Sequence, residues 1–517
     1  MSQRVENKTL SESDWAVQVA NKLNELYPEG ELTCAAGISP SGPIHFGNFR
    51  EIATAHMVQK ELQKLGREAR LLMSFDDFDR FRKVPKWLDE SYKEHLGKPL
   101  SGIPDPTGEQ DSYAALFEQQ FVDAVEKLGI KVDFKYQTQM YKSGVYDEYI
   151  KTAMQRRDEI ADILLANMTD IAIEQKEIDT EEYKKNYYPI SIYSTFTGKD
   201  ATEILDYDGE MTVTYRCKIT DQTETVNLSE TRIAKLSWKA DWAMRWKHEG
   251  VRFEPGGADH ATPGSSYTVS SVVTDKIFDY QAPLFVAYGM VGIQGQGGKM
   301  SGSKGNAITP GELLEFYDPQ LLLWLYERKT PNQHFQLAFD SEVFRQYDEY
   351  DKEFFGEKEI LSFRQTVGLG QIVQFNKEKF VQLLDALESG VERDIAVSRL
   401  PLAQNWLEKY NQEELISVRD EFNDEYFDSL TEPRQRQLQR LAEELSNIDT
   451  PTIARLEELS YAIPKEQGYS EDELKKEQRV FFKDVYNMLI SADRGPRLGT
   501  FLWALDIDII QKLLLRK

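Results

Sequence analysis

Short apolar runs and a stretch of helical periodicity alternate in the first part of the chain. The run ELTCAAGI is followed, after a loop, by apolar positions from Phe49 to Leu65 that keep a helical period, and then by the run ARLLMSF. Asn48 is the polar residue expected to cap the start of that helix, and Gly66 is expected to end it. Strand, helix and strand within about 45 residues form a βαβ unit, which implies a parallel sheet and an α/β fold.

Changes in this pattern divide the rest of the chain. Helical periodicity over 110–130 and 146–167 gives way, between Tyr187 and Asn227, to short alternating runs around the turn-forming pair Asp208-Gly209. The strand-like run VRFEPGG and a helix-like stretch then resume the α/β pattern, and beyond residue 335 the pattern is almost wholly helical. We therefore predict two halves of an α/β domain, separated by a mixed α/β insertion and followed by an all-α domain, with the boundaries 12–135, 136–250, 251–335 and 336–517.

The acidic composition narrows the classes of partner. The 517 residues include 62 Lys and Arg against 87 Asp and Glu, a net charge of −25. General coating of polyanions needs a basic surface, so a nucleic acid would have to bind at local basic patches. Cys34 and Cys217 are the only cysteines, which excludes a disulfide framework or a multi-cysteine zinc site and indicates a reducing compartment. The chain has no run of 18 apolar residues and a polar start, so we expect neither a transmembrane helix nor a signal peptide.

The first candidate site is the loop Ser39–Asn48, SPSGPIHFGN, between the first strand and the helix. Free N–H groups and the dipole at a helix N-terminus favour an anion, and this end of a strand is where doubly wound folds bind ligands. Gly42 and Gly47 allow the backbone to approach a flat ring or a phosphate closely, and His45 can donate to a phosphoryl oxygen. The competing interpretation is a tight turn with a helix cap and an incidental histidine.

A second loop, KMSGSKGN at 299–306, places two lysines and two serines among glycines. A lysine is a compact cation on a flexible stem, so this composition suits a mobile phosphate clamp. The Walker pattern GxxxxGK[ST] is not matched. The competing interpretation is a flexible polar loop.

Three tryptophans repeat at helical spacing in KLSWKADWAMRW, at Trp238, Trp242 and Trp246. We expect Trp242 and Trp246 to pack in a core. Trp238 and its basic neighbours could instead line a substrate pocket or stack on unpaired nucleotides.

Acidic residues follow the second strand, at Asp76, Asp77 and Asp79. One of these carboxylates could bind a substrate ammonium, and the alternative is that they form salt bridges with Arg80, Arg82 and Lys83. The run Gly256-Gly257-Ala258-Asp259-His260 likewise lies where a strand meets a loop.

Taken together, these segments carry a resemblance to a known family. The His-x-Gly-Asn pattern behind Pro-Ser-Gly and the later Lys-Met-Ser-x-Ser resemble the HIGH and KMSKS motifs of class I aminoacyl-tRNA synthetases. Five blocks in order, CAAGISPSGPIHFGNFRE, SFDDFDRFRKVP, KLSWKADWAMRW, GGADH and KMSGSKGN, narrow the resemblance to class I lysyl-tRNA synthetase. The resemblance implies an α/β Rossmann-type catalytic domain, a connective insertion and a helical region for stem contacts and anticodon binding.

The chain departs from the general class patterns at two positions. Asn48 replaces the last histidine of HIGH, and Gly302 replaces the second lysine of KMSKS, which makes Lys304 the candidate for the missing contact. Some relatives carry a cysteine-rich zinc site in the insertion. Only Cys217 remains here, so no zinc is predicted.

The resemblance implies ligation of L-lysine to tRNA(Lys) by a cytoplasmic, non-membrane, monomeric enzyme. Lysine and Mg·ATP would form lysyl-adenylate, and the lysyl group would then pass to the 2′-OH of the terminal adenosine. The implied catalytic residues are His45, Asn48, Lys299 and Lys304. The implied ATP site consists of Pro40, Ser41, Gly42, His45, Gly47, Asn48, Lys299, Met300, Ser301 and Ser303. For lysine we nominate Gly37, Ser39, Asp77, Trp238, His260 and Tyr288, with Asp77 as partner of the ε-ammonium and Asp76, Asp79 and Asp259 as competitors.

Two alternatives remain at this stage. A glutamyl synthetase shares the architecture but needs a cation for its substrate side chain, whereas the aspartates here favour lysine. A repurposed paralogue would bind nucleotide or RNA without charging tRNA, and the retained His45 and Lys299 argue against it.

Overall fold

Strands and helices alternate in the first part of the computed structural model, which describes residues 15–168, 179–294, 307–465 and 469–516. The strands, numbered in chain order, are β1 (Leu32–Ile38), β2 (Ala69–Phe75), β3 (Asp133–Tyr136), β4 (Ile190–Ile192), β5 (Thr202–Tyr207), β6 (Thr212–Cys217), β7 (Thr223–Asn227), β8 (Ala234–Leu236), β9 (Val251–Gly257), β10 (Leu284–Tyr288), β11 (Val291–Ile293) and β12 (Phe335–Leu337).

The α-helices of the same described residues are numbered in the same way. They are α1 (Trp15–Leu26), α2 (Phe46–Lys64), α3 (Tyr113–Lys127), α4 (Gln137–Ser143), α5 (Asp147–Gln155), α6 (Arg157–Ala166), α7 (Thr180–Asn186), α8 (Leu228–Thr231), α9 (Trp238–Glu249), α10 (Ser266–Phe278), α11 (Pro310–Leu313), α12 (Pro319–Glu327), α13 (Glu342–Phe354), α14 (Phe363–Ile372), α15 (Lys377–Ala386), α16 (Arg393–Asn405), α17 (Asp424–Ser429), α18 (Glu432–Ser446), α19 (Ile453–Ala462), α20 (Glu471–Ile490), α21 (Leu498–Ala504) and α22 (Ile507–Leu514).

A five-stranded parallel sheet positions the candidate site. Its strand order is β10-β9-β1-β2-β3, and every neighbouring pair is parallel. The order reverses at β1, because β2 and β3 extend the sheet to one side and β9 and β10 to the other. Such a switch point opens a crevice at the carboxyl ends of the strands. The predicted βαβ unit and the α/β class are confirmed.

The helix that follows β1 begins earlier than its apolar pattern suggests. α2 starts at Phe46, and its N-cap is His45, whose side chain accepts the Asn48 N–H. The prediction that Asn48 caps this helix is therefore wrong, because Asn48 lies inside the first turn. The predicted end is correct: Gly66 has φ +79° directly after the C-cap Leu65.

The segment between β3 and β9 is built from short elements. Strands β5, β6 and β7 form an antiparallel sheet, and Asp208 and Gly209 lie in the predicted turn between β5 and β6. Strands β4 and β8 form a separate antiparallel pair. The helix predicted over 146–167 is divided at Arg156, whose guanidinium donates to the carbonyls of Lys276 and Ile277 at the end of α10. The limits 136–250 for an insertion stay a prediction.

The chain divides into two compact units. The first comprises Met1–Leu314 and Pro319–Leu337, and the second comprises Glu315–Asp318 and Ala338–Lys517. Beyond Leu337 the second unit is helical throughout its described residues and has a leucine-rich core of its own, with Phe380, Leu441 and Leu489 at its centre. No helix among the described residues is long and apolar enough to cross a membrane.

Candidate active site

The first signature loop lies between the carboxyl end of β1 and the N-terminus of α2. The Phe46 N–H donates to the carbonyl of Ile308 at 2.9 Å, and the Tyr113 hydroxyl donates to the carbonyl of Ser41 at 3.0 Å. Pro40 and Gly42 are buried, whereas Ser41 is exposed. The loop is thus fixed from two sides, next to the positive end of a 19-residue helix where an anion is favoured.

Within this loop, His45 already has a structural role. Its Nδ1 accepts the Asn48 N–H with a nitrogen–nitrogen distance of 3.3 Å, which orients the ring and makes Nε2 the protonated nitrogen of the neutral tautomer. His45, Gly47 and Asn48 are each only partly buried. The two interpretations made from the sequence are a helix cap and a phosphate contact. They are compatible, because the cap uses Nδ1 and a phosphate contact would use Nε2.

The second signature loop contributes the predicted Lys299, Met300, Ser301, Ser303 and Lys304. All five lie outside the described residues. Their assignment to ATP stays a prediction.

A glutamate that sequence reasoning missed connects two of the residues nominated for lysine. Glu51, on α2, accepts the Gly37 N–H at 2.9 Å through Oε1 and the Tyr288 hydroxyl at 2.7 Å through Oε2. Burial raises the pKa of Glu51 to about 8 against these two hydrogen bonds, and the nearby Glu254 and Asp76 carboxylates add to the rise. Within the described residues, this carboxyl has two neutral hydrogen-bond donors and no salt bridge.

The tryptophans of α9 are organised by a second buried carboxylate. Glu254 accepts the indole N–H of Trp242 at 3.0 Å and that of Trp246 at 2.5 Å, and burial raises its pKa to about 7. Trp242 and Trp246 are buried, which confirms the prediction that they pack in the core. Trp238 is only partly buried and stacks on Trp242, with ring centroids 5.1 Å apart and planes at 18°.

His260 joins the same aromatic group. It lies in the short 3₁₀ turn Ala258–Ala261 after β9, and its ring centroid is 5.7 Å from that of Trp242. The ring also lies beside Gly256 and Gly257, where added Cβ atoms would come within 3.9 and 3.7 Å of its Cδ2. The structure therefore brings Trp238 and His260 together around Trp242, as it brings Gly37 and Tyr288 together around Glu51.

The aspartates after β2 have other partners than those considered from the sequence. Asp76 pairs with Arg245 at 2.6 Å and Asp79 with Lys235 at 2.8 Å, and Asp241 bridges the two cations. Salt bridges from these aspartates to Arg80, Arg82 and Lys83 are not formed among the described residues, because α9 and β8 supply the cations. Arg80 instead pairs with Asp200.

Asp77, the residue nominated for the ε-ammonium, is enclosed by backbone. It is 4% exposed, and its Oδ1 accepts the Thr138 N–H at 2.8 Å near the start of α4. Burial raises its pKa, and the Thr138 hydrogen bonds oppose that rise. Asp77 therefore accepts a hydrogen bond at the N-terminal end of α4. Glu51, in contrast, contacts the nominated residues Gly37 and Tyr288.

The remaining nominated residue, Ser39, directly follows β1 and is partly buried. Among the described residues, no group of three or more His, Cys, Asp or Glu side chains is arranged to hold a metal ion. Cys34 and Cys217 are both buried with free thiols. The absence of zinc from the insertion stays a prediction.

Several known proteins are similar to this chain. The model of a family described as tRNA synthetases class I (K) matches residues 13–362. The lysine--tRNA ligase of Streptomyces coelicolor is 35% identical to this chain over 97% of the chain and 98% of the relative. That of Pyrococcus horikoshii is 33% identical over 97% and 99%. Among solved structures, a glutamate tRNA ligase from Elizabethkingia meningosepticum matches with a TM-score of 0.49 and 11% identity over 94% of this chain and 98% of that one.

Proposed function

The chain belongs to the class I lysyl-tRNA synthetase family, and on that premise we propose that it attaches L-lysine to tRNA(Lys) in two steps with ATP. In the first step a lysine carboxylate oxygen bonds to the α-phosphorus of Mg·ATP, the bond to the β-phosphate oxygen breaks, and pyrophosphate leaves. In the second step the 2′-oxygen of the terminal adenosine bonds to the activated carbonyl carbon, loses its proton, and AMP leaves.

The observation that carries the choice of lysine is the environment of Glu51. Its carboxyl is held by the Gly37 N–H and the Tyr288 hydroxyl, and Glu254 and Asp76 are close enough to raise its pKa. An ammonium ion removes the cost of that buried negative charge, whereas a glutamate side chain would add to it. We therefore propose Glu51, in place of Asp77, as the partner of the ε-ammonium.

The other nominated residues take complementary parts in this proposal. Trp238, stacked on Trp242, and the ring of Tyr288 would line the four-carbon stem of lysine, which is apolar. Ser39 would hold the α-amino group, and His260 would donate to the carboxylate end. The positions of Ser39, His260 and Tyr288, at or shortly after the carboxyl ends of β1, β9 and β10, support these roles.

ATP would occupy the N-terminal end of α2. The loop 40–48 supplies backbone N–H groups, a glycine-lined approach and the His45 donor, and phosphoryl transfer depends on such positioning and charge stabilisation more than on acid–base groups. Lys299, with Lys304 in the place of the missing lysine, would neutralise charge as pyrophosphate leaves. Magnesium would enter with the substrate as Mg·ATP.

The helical region 336–517 would provide the contacts to the tRNA stem and anticodon. We propose a monomer acting in the cytoplasm. Family membership supports both proposals. The helical structure and separate core of the second unit support its assignment as a tRNA-binding region.

The test is aminoacylation of a tRNA(Lys) transcript together with ATP–pyrophosphate exchange, each with lysine and with glutamate, and exchange both with and without tRNA. We expect lysine-dependent exchange and a lysyl ester on the transcript. Charging by glutamate would identify a glutamyl enzyme, and nucleotide binding without charging would identify a repurposed paralogue.

A further inference from the structure

A cationic surface lies beside the first signature loop and takes no part in the sites described above. Between Arg80 and Leu100 the chain carries six Lys and Arg and only three Asp and Glu, in a protein whose net charge is −25. The surface consists of Arg82, Lys83, Lys86, Trp87, Lys98 and Lys199, and is called the cationic surface below.

Backbone hydrogen bonds assemble this surface from three segments. The Phe81 N–H donates to the carbonyl of Lys98 at 2.8 Å, and the Gly97 N–H donates to the carbonyl of Phe81 at 3.0 Å. The Asp200 N–H donates in turn to the carbonyl of Gly97 at 2.9 Å. These bonds place the segments that carry Arg82, Lys98 and Lys199 side by side, although Lys199 is more than 100 residues away in sequence.

A small apolar cluster fixes which side chains of the 79–88 segment face outward. Phe81 and Leu88 are buried and pack with Tyr113, Phe117 and Leu100. The intervening Arg82, Lys83, Lys86 and Trp87 are exposed. The cations are thus held in solvent by a buried anchor on each side of them.

The cations of this surface form no salt bridges within the part of the chain that the structure describes. Among the described residues, none of the five has a carboxylate within 4.0 Å, whereas the neighbouring Arg80 pairs with Asp200 at 3.2 Å. Lys98 Nζ instead lies 3.4 Å from Nδ1 of His95. Five cations without carboxylate partners in a chain with 87 acidic residues fit an external polyanion.

An exposed aromatic ring connects the cationic surface to the candidate active site. Trp87 is 39% exposed, and its ring is parallel to that of Tyr113, at 3° and a centroid distance of 6.3 Å. The Tyr113 hydroxyl donates to the carbonyl of Ser41 in the first signature loop. One residue therefore separates the exposed indole from the loop proposed to bind ATP.

We propose that the cationic surface binds the single-stranded 3′ end of tRNA, with its cations on the phosphates and Trp87 stacked on an unpaired base. This rests on the proposed function. A basic track with an interspersed aromatic ring is the usual solution for single-stranded nucleic acid, because every base has a face that can stack. The position next to the first loop would direct the terminal adenosine toward the activated lysine.

The test compares two double variants on two RNAs. Lys83→Ala/Lys86→Ala removes two charges from the surface. Lys127→Ala/Lys131→Ala removes two exposed charges at and beyond the far end of α3, about 20 Å from Tyr113 along that helix. The probes are fluorescent tRNA(Lys) transcripts, one of full length and one lacking the last four nucleotides, titrated by anisotropy over a range of salt concentrations.

We expect the surface variant to bind the full-length transcript about tenfold more weakly, with a salt slope lower by about 1.4 for two lost single-strand phosphate contacts. Its binding of the shortened transcript should equal that of the wild type, and the control variant should match the wild type on both. Trp87→Ala should weaken binding of the full-length transcript between about 5- and 150-fold, with Trp87→Phe retaining most of the affinity. Thermal unfolding of each variant shows that its fold is kept.

Equal losses on both transcripts, or equal losses in both double variants, would overturn the assignment to the 3′ end. Failure of this proposal can be distinguished from failure of the proposed function. A wild-type enzyme that does not charge tRNA with lysine contradicts the function itself. A wild-type enzyme that charges it, with an unchanged Lys83→Ala/Lys86→Ala variant, contradicts only the role of the surface.

Discussion

A single carboxyl group governs the electrostatics of the candidate lysine pocket. Among the described residues, Glu51 has two hydrogen-bond donors and no salt-bridge partner, so Glu51→Gln keeps the shape and removes the charge that an ammonium would meet. We expect the lysine KM to rise about 10- to 100-fold, since a hydrogen bond between charged groups contributes about 1.5–3 kcal/mol. The KM for ATP should hardly change. Steady-state exchange kinetics measure both.

Asp77→Asn is the matched comparison for Glu51→Gln. The asparagine Oδ1 can still accept the Thr138 N–H, so the contact at the base of α4 is preserved. A lysine KM within about threefold of the wild type is expected, because no buried partner is left uncompensated. If Asp77→Asn raises the lysine KM strongly and Glu51→Gln does not, the assignment returns to Asp77.

The raised pKa of Glu51 also predicts the pH dependence of lysine binding. With a pKa of about 8 in the free protein, Glu51 carries a proton at neutral pH, and an ammonium ligand requires its ionised form. Binding below pH 8 therefore releases a proton, and lysine affinity should rise about tenfold per pH unit from 6 toward 8 before it levels off. Calorimetry in two buffers of different ionisation enthalpy measures that proton. Glu51→Gln should abolish its release, and an unchanged release would assign it to another group.

At the level of residues, local pattern in the sequence was enough to nominate some of the side chains that the structure brings together. Gly37 and Ser39 were nominated from their places at the end of the first strand, and the structure brings Gly37 and Tyr288 into contact with one carboxyl group. Glu51 was missed because it lies within a helix, where a charged residue is expected to face solvent. Its contact with Tyr288 spans 237 residues, a separation that no local periodicity reports.

At the level of elements, α9 is held to the end of β2 by a buried network of charges. Arg245 is 6% exposed and pairs with Asp76 and Asp241, and Lys235 pairs with Asp241 and Asp79. Arg245 also lies over the ring of Trp238, 5.5 Å from its centroid. The network therefore positions the wall of the proposed pocket as well as the aspartate loop.

Removal of Arg245 from this network should destabilise the first unit strongly. Arg245→Met leaves the buried Asp76 carboxylate without its cation and leaves Asp241 with Lys235 alone, which costs about 3–5 kcal/mol. Burial would then hold the pKa of Asp76 further above its unfolded value, because the opposing Arg245 charge is gone. The loss of stability should therefore grow as pH rises from 5.5 to 8. Urea unfolding at the two pH values measures both effects.

The control is Arg216→Met, which breaks the exposed pair with Glu203 and should have little effect at either pH. A loss independent of pH would mean that packing of the side chain matters more than its charge.

The same elements show why helix boundaries were predicted less well than helix existence. The hairpin around Asp208-Gly209 depends on two adjacent residues and was found. At the break, Arg156 donates to carbonyl groups of α10 that lie more than 100 residues later. The hydrophobic pattern of residues 146–167 carries no information about that contact. In α2, the cap moved from Asn48 to His45 because a histidine ring nitrogen supplied the acceptor that is normally an Asp or Ser oxygen.

For the whole molecule, the change from mixed to purely helical pattern near residue 335 lies close to the limit between the two compact units at Leu337 and Ala338. The short segment Glu315–Asp318, which belongs to the second unit, could not be assigned from pattern. Tyr317 shows the reason: its hydroxyl donates to the carbonyl of Ala338, a contact made only after the intervening strand.

Two units with separate cores should unfold in two steps, and substrates should stabilise only one of them. The core of the second unit consists of residues between 361 and 514, whereas the proposed lysine and ATP sites lie in the first. Lysine at 100 times its Kd adds about 2.7 kcal/mol to the stability of the unit that binds it. For a unit of this size that corresponds to a rise in Tm of about 4 °C. Differential scanning calorimetry should therefore resolve two transitions, of which lysine shifts one. Glu51→Gln should remove the shift without moving the other transition. A single transition that lysine moves as a whole would show instead that the two cores unfold together.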